Sequence, residues 1–461
     1  MKTRKFILGV LCSILACVSF ASEKYPLSPS KTASDNITST RSQIVLNGVW
    51  EFAPAFSPTG RPDAENFGRI LVPGFWKCGE NAPSVVYAPN IPCWKDLKKA
   101  KIGWYKRFID IPQCWKGRAI YLRLERVYND AIVFVDGQYV GAVRNNEGDV
   151  DITKFAQAGK KIELVVKVSS LTFLSDFNKL SKMPIETLSK LKAHYLPGIS
   201  GDVILFSRPV GVHIDGMFIR TSVRRMELSA DVEIKGVLHS GDYQFKAKVF
   251  DKNGKCVKEF SQTKSLGKSA LQVATISSVW ENPQLWDIDS PTLYNLEVSI
   301  SKDGKLFDSF KDRFGFREFE ISGKDFLLNG KKIHLQPLHC FWEGDVGGSR
   351  TAIANSIDSM MRNNFNTMEL WPWEQSARGA THCRPTWAKI ADEKGFLMFY
   401  PANGLDEGVW RGKWVSKYDW TNPNVVKSWY KKTTDQWKPI RNCPSVVAFM
   451  TMPNRFSVSE D

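Results

Sequence analysis

The sequence predicts a multidomain chain, β-sandwich first and α/β last, on three observations. At 461 residues it is too long for one ordinary core and fits about three domains. From Gln43 to Arg317 apolar residues alternate in short runs separated by Gly, Pro and Asn, the spacing of strands and turns. After Arg317 the rhythm changes, and apolar β runs alternate with helix-length segments.

The first element is "MKTRKFILGVLCSILACVSFASEKYPL", with a basic start, an apolar stretch from Phe6 to Phe20 and small residues at Ser19 and Ala21. That is the layout of a secretory signal peptide cut after Ala21. Residues 1–21 are expected as signal and 22–42 as a linker, which makes the protein secreted or periplasmic. A lipoprotein with Cys17 as the lipidated residue fits less well, because bulky Leu15 stands where a small residue is expected. No other apolar stretch reaches the roughly 20 residues of a transmembrane segment.

Residues 43–208 carry "IVLNGVWEFAP", "RILVPGFW", "GWYKRFIDIP", "RAIYLRLERV", "DAIVFVDGQYVG" and "KIELVVKVSS", the strands of a β-sandwich. Val-rich arms around Asp136-Gly137 mark a tight hairpin. Residues 175–202, ending on Pro197-Gly198 and "ISGD", form a mostly polar insertion open to a helical reading. In 209–317 a second series of strands, with turns at Asn253-Gly254 and Asp303-Gly304, has the spacing of a seven-stranded immunoglobulin-like sandwich. In 318–461, "KKIHLQPLHCF", "FNTMELW", "FLMFYPANG" and "PSVVAFMTMPN" read as strands. Helices are expected between them around "TAIANSIDSMMRNN", "RPTWAKIADEKG" and "PNVVKSWYKKTTDQWKPI". That alternation predicts a parallel sheet with right-handed crossovers.

Composition narrows the function classes. Sixteen Trp and 28 Phe suit clefts that stack on the apolar faces of sugar rings, although sandwich cores consume aromatics too. The formal charge of +15 is spread along the chain rather than gathered in runs, which favours an acidic glycan over nucleic acid. Beyond the signal, seven cysteines are scattered without a CxxC pair, against a zinc site or a disulfide scaffold; Cys78 and Cys93 remain one pair that an oxidising compartment allows to bridge. No metal-ligand cluster and no cofactor motif are visible.

Two sandwiches followed by a β/α region resemble glycoside hydrolase family 2, the family of β-galactosidases, β-glucuronidases, β-mannosidases and exo-β-glucosaminidases. The motifs are "LNGVWEF" (46–52), "VPGFW" (72–76), "GWYKRFIDIP" (103–112), "FVDGQYVG" (134–141), "PQLWDIDSPTLYNLEV" (283–298), "RFGFREFE" (313–320), "FLLNGKKIHL" (326–335), "ADEKGFLMF" (391–399) and "NCPSVVAF" (442–449). Each is weak alone; their order and spacing carry the resemblance. It implies a jelly-roll-like sugar-binding sandwich, an immunoglobulin-like sandwich and the first half of a (β/α)8 TIM barrel. It also implies a retaining glycosidase, in which two carboxyl groups about 5–5.5 Å apart protonate the glycosidic oxygen and attack the anomeric carbon.

The family's acid/base Glu follows an Asn at the end of barrel strand four, here "PSVVAFMTMPN". Aligned without gaps, Pro453 takes the Asn position and Asn454 the Glu position; a one-residue slip puts Arg455 there. Neither is a carboxyl group. Asn does not act as an acid, and a guanidinium keeps its proton. Strand two, where the family has an Arg, offers Glu369, and strand seven, with the nucleophile, is not in the chain.

Sugar-binding candidates at strand ends are His339, Trp342 and Glu343 on strand one, Glu369, Trp371, Trp373 and Glu374 on strand two, and Asn454 and Arg455 on strand four. A half barrel leaves an unpaired edge, so the chain is expected to be a truncated product, a fragment or one that needs a partner. The resemblance thus implies hydrolysis of O-glycosyl bonds of β-linked sugars by descent, catalytically incomplete in this chain. The alternative is a non-catalytic carbohydrate-binding protein.

Overall fold

The computed structural model describes residues 37–56, 60–76, 85–87, 97–128, 130–143, 147–170, 197–340, 350–370, 385–401, 408–410, 413–415 and 421–450. They fall into two compact units. Residues 175–196 of the polar insertion lie outside the described residues, as do the signal and the pair Cys78 and Cys93, while the insertion's end carries a short strand, Gly198–Ile199.

The first unit, which includes Gln43–Lys116 and Ile120–Phe206, is a β-sandwich. Its larger sheet runs, in spatial order, Gln138–Val143, Asp130–Val135, Lys161–Ser169, Ile102–Asp110, Gly48–Ala55, Gly68–Val72 and Val85–Tyr87. A second sheet is built from Ser42–Val45, Val203–Pro209, Arg118–Leu124 and Gly148–Asp151. Period-two alternation does the sorting. In Lys161–Ser169, Ile162, Leu164, Val166 and Val168 enter one core with Trp50, Phe52, Leu122, Leu124 and Leu205. Asp136 and Gly137 both have positive φ, 48° and 77°, the hairpin turn expected from that dipeptide. Gly103 is required by close approach, because a Cβ there would lie 2.5 Å from the Trp76 ring and 2.7 Å from Phe52.

The opposite face of the larger sheet has a smaller apolar cluster of Ala53, Ile102, Trp104 and Val165. Lys167 lies on this face with its Nζ 5.0 Å from the centre of the Trp104 ring. Burial pushes its ammonium down to about 8.

The second unit contains an immunoglobulin-like sandwich of seven strands: β1 His213–Ser222, β2 Glu227–Val237, β3 Gly241–Phe250, β4 Cys256–Leu266, β5 Ser269–Val279, β6 Tyr294–Lys302 and β7 Lys305–Phe314. One sheet has the order β1-β2-β5 and the other β4-β3-β6-β7. Asp303-Gly304, at φ 52° and 74°, closes the β6–β7 hairpin. The Asn253-Gly254 turn is of another kind. Only Gly254 has positive φ, and the Asp251 carboxylate organises the turn by accepting from the amides of Asn253 and Lys255, each at 2.9 Å.

The end of the segment expected as a linker packs on this sandwich. Arg41 donates to the buried Asp308 at 3.0 Å and to the Ile214 carbonyl. Asp308 also accepts from Thr40 Oγ1 at 2.8 Å and from the amides of Ile214 and Ser309 at 2.8 and 2.9 Å.

Beyond the sandwich, three short antiparallel strands (Phe319–Ser322, Asp325–Leu328 and Lys331–Ile333) lead into the region of alternating elements. These are β8 Pro337–Cys340, α1 Arg350–Arg362, β9 Thr367–Leu370, α2 Pro385–Lys394, β10 Leu397–Pro401, α3 Pro423–Trp437 and β11 Val446–Met450. The four strands form a parallel sheet in the order β8-β9-β10-β11, as expected from the alternation. Asn422 caps α3 by accepting from the Asn424 amide, with Pro423 in the first turn. Ile353, Ile357 and Met360, at helical spacing, bring α1 onto a core with Trp387, Met368, Met398, Tyr400 and Val446.

Two outcomes are expected. Arg41→Ala leaves the Asp308 carboxylate buried without its cation and costs about 3 kcal/mol, read as a lower urea midpoint for the second unit. The folded Lys167 ammonium titrates near 8 and the unfolded one near 10.4, so the fold gains stability as pH rises through that window. Lys167→Met removes this gain, measured as the difference in melting temperature between the two proteins from pH 7 to pH 10.

Candidate functional site

In a parallel sheet every strand ends on the same edge, so β8, β9, β10 and β11 present Cys340, Leu370, Pro401 and Met450 together. The opposite end is closed by apolar packing. Leu397 and Val447, near the starts of β10 and β11, pack with Trp286, Leu328, Ile333, Leu335 and Phe319. In β/α folds the C-terminal edge is where strand-end loops converge and ligands bind.

The register places two candidate positions side by side on the sheet. His339 of β8 pairs with Glu369 of β9, and Glu369 pairs with Phe399 of β10. Phe399 then pairs with Ala448 of β11, after an irregularity between Met398 and Phe399 that leaves Val447 as an extra residue. Glu369 is half-buried. The other sequence candidates, Trp342, Glu343, Trp371, Trp373, Glu374, Asn454 and Arg455, lie outside the described residues. Among the described residues there is no group of three or more His, Cys, Asp or Glu able to hold a metal ion.

A set of polar residues that fix β11 is well described, and sequence reasoning assigned none of them a role. Asp392 of α2 is 1% exposed and accepts from the Ser445 amide at 2.9 Å and from Arg313 at 3.2 Å. Burial pushes its carboxyl up, while Arg313 and Ser445 pull it back only in part. Ser445 Oγ donates to the Ala388 carbonyl at 3.2 Å. Arg317 donates to the carbonyls of Pro444 at 3.0 Å and Val446 at 2.7 Å, and burial pushes its guanidinium down to about 10.

Asn442 joins the same segment to the sandwich. Its Oδ1 accepts from the Ile219 amide at 2.8 Å, and its Nδ2 donates to Met217 O at 3.0 Å and Asp312 at 2.7 Å. Gly315 allows the approach, since a Cβ there would lie 2.8 Å from Pro444. The available signal was the motifs "RFGFREFE", "ADEKGFLMF" and "NCPSVVAF". They mark the positions, but nothing in them says that the three motifs meet.

A second cluster ties the turn after α3 to the sandwich. Glu233 is paired with Lys438 and with Arg441 at 2.7 Å, and Asp215 with Lys235 at 2.9 Å and Lys438 at 3.4 Å. Burial pushes both carboxyls up, but hydrogen bonds and charge from these cations outweigh it and hold them below their usual range.

A sugar-binding-type sandwich, an immunoglobulin-like sandwich and a parallel β/α sheet, in this order, define a glycoside-hydrolase-like scaffold. Residues 44–209 match the family model "Glycosyl hydrolases family 2, sugar binding domain", and residues 212–317 match "Glycosyl hydrolases family 2". The chain belongs to glycosyl hydrolases family 2.

Among curated relatives, a β-galactosidase of Priestia megaterium is 25% identical over 83% of this chain and 38% of its own length. A β-glucuronidase of Bacteroides fragilis is 26% identical over 66% of this chain and 42% of its own length. The chain thus spans less than half the length of these relatives. Among solved structures, a Ruminococcus gnavus β-glucuronidase in complex with D-glucuronic acid is similar with a TM-score of 0.64 at 18% identity, over 91% of this chain and 68% of that one. A family 2 member from Bacteroides cellulosilyticus is similar with a TM-score of 0.63 at 20% identity, over 88% of this chain and 52% of that one. At such identities these structures speak for the fold alone.

Arg317→Met removes two charge-assisted bonds to the start of β11 and is expected to cost about 2–3 kcal/mol, seen as a lower urea midpoint. Because Glu233 and Asp215 titrate lower in the fold than unfolded, their stabilisation is present above about pH 4.3 and is lost as pH falls through the lower folded values. Glu233→Gln should flatten that acid-side loss in unfolding curves taken between pH 3 and pH 6.

Proposed function

We propose that this chain holds a β-linked glycoside at the C-terminal edge of the β8–β11 sheet and that it lacks the proton donor hydrolysis requires. The observation that carries the reading is the parallel order β8-β9-β10-β11, which brings four C-terminal strand ends to one edge while apolar side chains close the other. On this reading residues 318–461 form the first half of a (β/α)8 barrel, whose chemistry sits at that edge. His339 and Glu369 stand in register on neighbouring strands near that edge, which supports a sugar-facing role for the pair. Trp342, Glu343, Trp371, Trp373 and Glu374 follow those strands in sequence and supply stacking faces and hydroxyl partners.

The segment that follows β11 in sequence decides binding against turnover on this reading. At the acid/base position stands Asn454 or, one residue on, Arg455. An amide donates a hydrogen bond to a glycosidic oxygen without releasing a proton, and a guanidinium clamps a carboxylate such as that of a uronic acid. β-Galactosidases and β-glucuronidases among the relatives support a β-linked hexose or hexuronic acid as the class. The net charge of +15 favours the acidic sugar. With residues 1–21 read as an export signal, the glycan would be met outside the cytoplasm.

Calorimetric titration with methyl β-glucuronide and methyl β-galactoside, alongside release of aglycone from the matching aryl glycosides, tests this. Binding with no release beyond buffer is expected, with affinity falling about tenfold in Glu369→Ala. Aglycone release above buffer would show that the proton donor is not lost. Failure to bind either sugar would remove the site.

A further inference from the structure

The immunoglobulin-like sandwich has four edge strands, and three of them are protected. Along β1, Asp308 accepts from the Ile214 amide, Arg41 donates to the Ile214 carbonyl, and Asn442 bonds both Ile219 N and Met217 O. β4 carries Lys258, Glu259 and Lys264, and β7 carries Lys305, Lys311, Asp312 and Arg313. Charges of this kind keep a second strand from adding to an edge.

β5 differs. Its eleven residues, SALQVATISSV, include no charge, no proline and no glycine, in a chain of formal net charge +15. Leu271, Val273 and Val279 stand 51%, 59% and 60% exposed on it. Ser269 Oγ bonds both the amide and the carbonyl of Leu271, and Ser277 O accepts from Gln262 Nε2. Odd-numbered residues therefore turn their backbone groups away from β2. Those caps occupy the two ends of the strand, where Ser278 Oγ also donates to Val279 O. At the centre, among the described residues, the outward amides and carbonyls of Val273 and Thr275 have no such cap.

We propose that β5 is a pairing edge for a second copy of this chain, joined antiparallel about a twofold axis at Ala274. In that register Val273 faces Thr275 of the second copy, and Thr275 faces Val273 of the second copy, so the open groups satisfy one another in pairs. Leu271 then faces Ser277 of the second copy, with Val279 of that copy diagonal to it and within reach of an apolar contact. The interface is isologous, and it joins two three-stranded sheets into one of six. A second copy is favoured over a charged partner because β5 offers nothing to pair with a charge. It is also the one edge of this sandwich where two strongly basic chains can approach without cation facing cation.

Sedimentation of the full chain over a range of concentrations tests this. A monomer–dimer equilibrium with a dissociation constant of roughly 1–100 µM is expected. Val273→Lys should weaken it at least about tenfold, and Leu306→Lys on β7 should leave it unchanged. The amides of Val273 and Thr275 should exchange hydrogen more slowly at high protein concentration than at low. A monomer up to about 100 µM, or a dimer that Val273→Lys leaves intact, overturns the proposal. If that variant does not fold, exchange in the unaltered chain decides, and rates independent of concentration at these two amides overturn it.

Discussion

Asp392 is a buried carboxylate held by donors from distant parts of the chain: the Ser445 amide ahead of β11 and the Arg313 guanidinium at the end of the immunoglobulin-like sandwich. A carboxylate so buried is tolerated only when it is paired and hydrogen-bonded, so each of these segments is fixed by the needs of the others. Arg317 extends the arrangement by holding the Pro444 and Val446 carbonyls. Trp286 adds a further tie, donating its indole N–H to the Asp392 carbonyl at 2.9 Å. The position of β11 relative to the sandwich follows from this joint rather than from the strand's own sequence.

That constraint explains why the sandwich is more than a spacer. Asn442 reads the β1 backbone at two points, and the Glu233 and Asp215 cluster grips Lys438 and Arg441 on the turn that precedes it. With apolar packing at the N-terminal end of the sheet and polar clamps at the entry to β11, the opposite edge is left to differ. A scaffold of this kind can keep its packing residues while strand-end residues change chemistry.

The order of elements was legible because each has a short-range signal. Alternation gave the strands of both sandwiches, and Ile353, Ile357 and Met360 gave the helical stripe of α1. Asp136-Gly137 and Asp303-Gly304 gave their turns through positive φ. Asn253-Gly254 was legible as a turn but not in kind, because the Asp251 side chain overrides the dipeptide's own preference. The strap of Thr40 and Arg41 on Asp308 was read as linker, since the residues it joins are more than 260 positions apart.

By itself the sequence determined the secondary structure, the family and the identity of the residues at the ends of the parallel strands, all properties of local pattern or of motif order. Tertiary structure alone decided that Arg313, Arg317, Asp392, Asn442 and Ser445 form one joint, that His339 and Glu369 stand in register, and that β5 is an edge. The reason is physical. Hydrophobic periodicity is set by neighbours two to four residues away, whereas the pairing of a buried charge or a strand edge depends on which distant segment folding brings beside it.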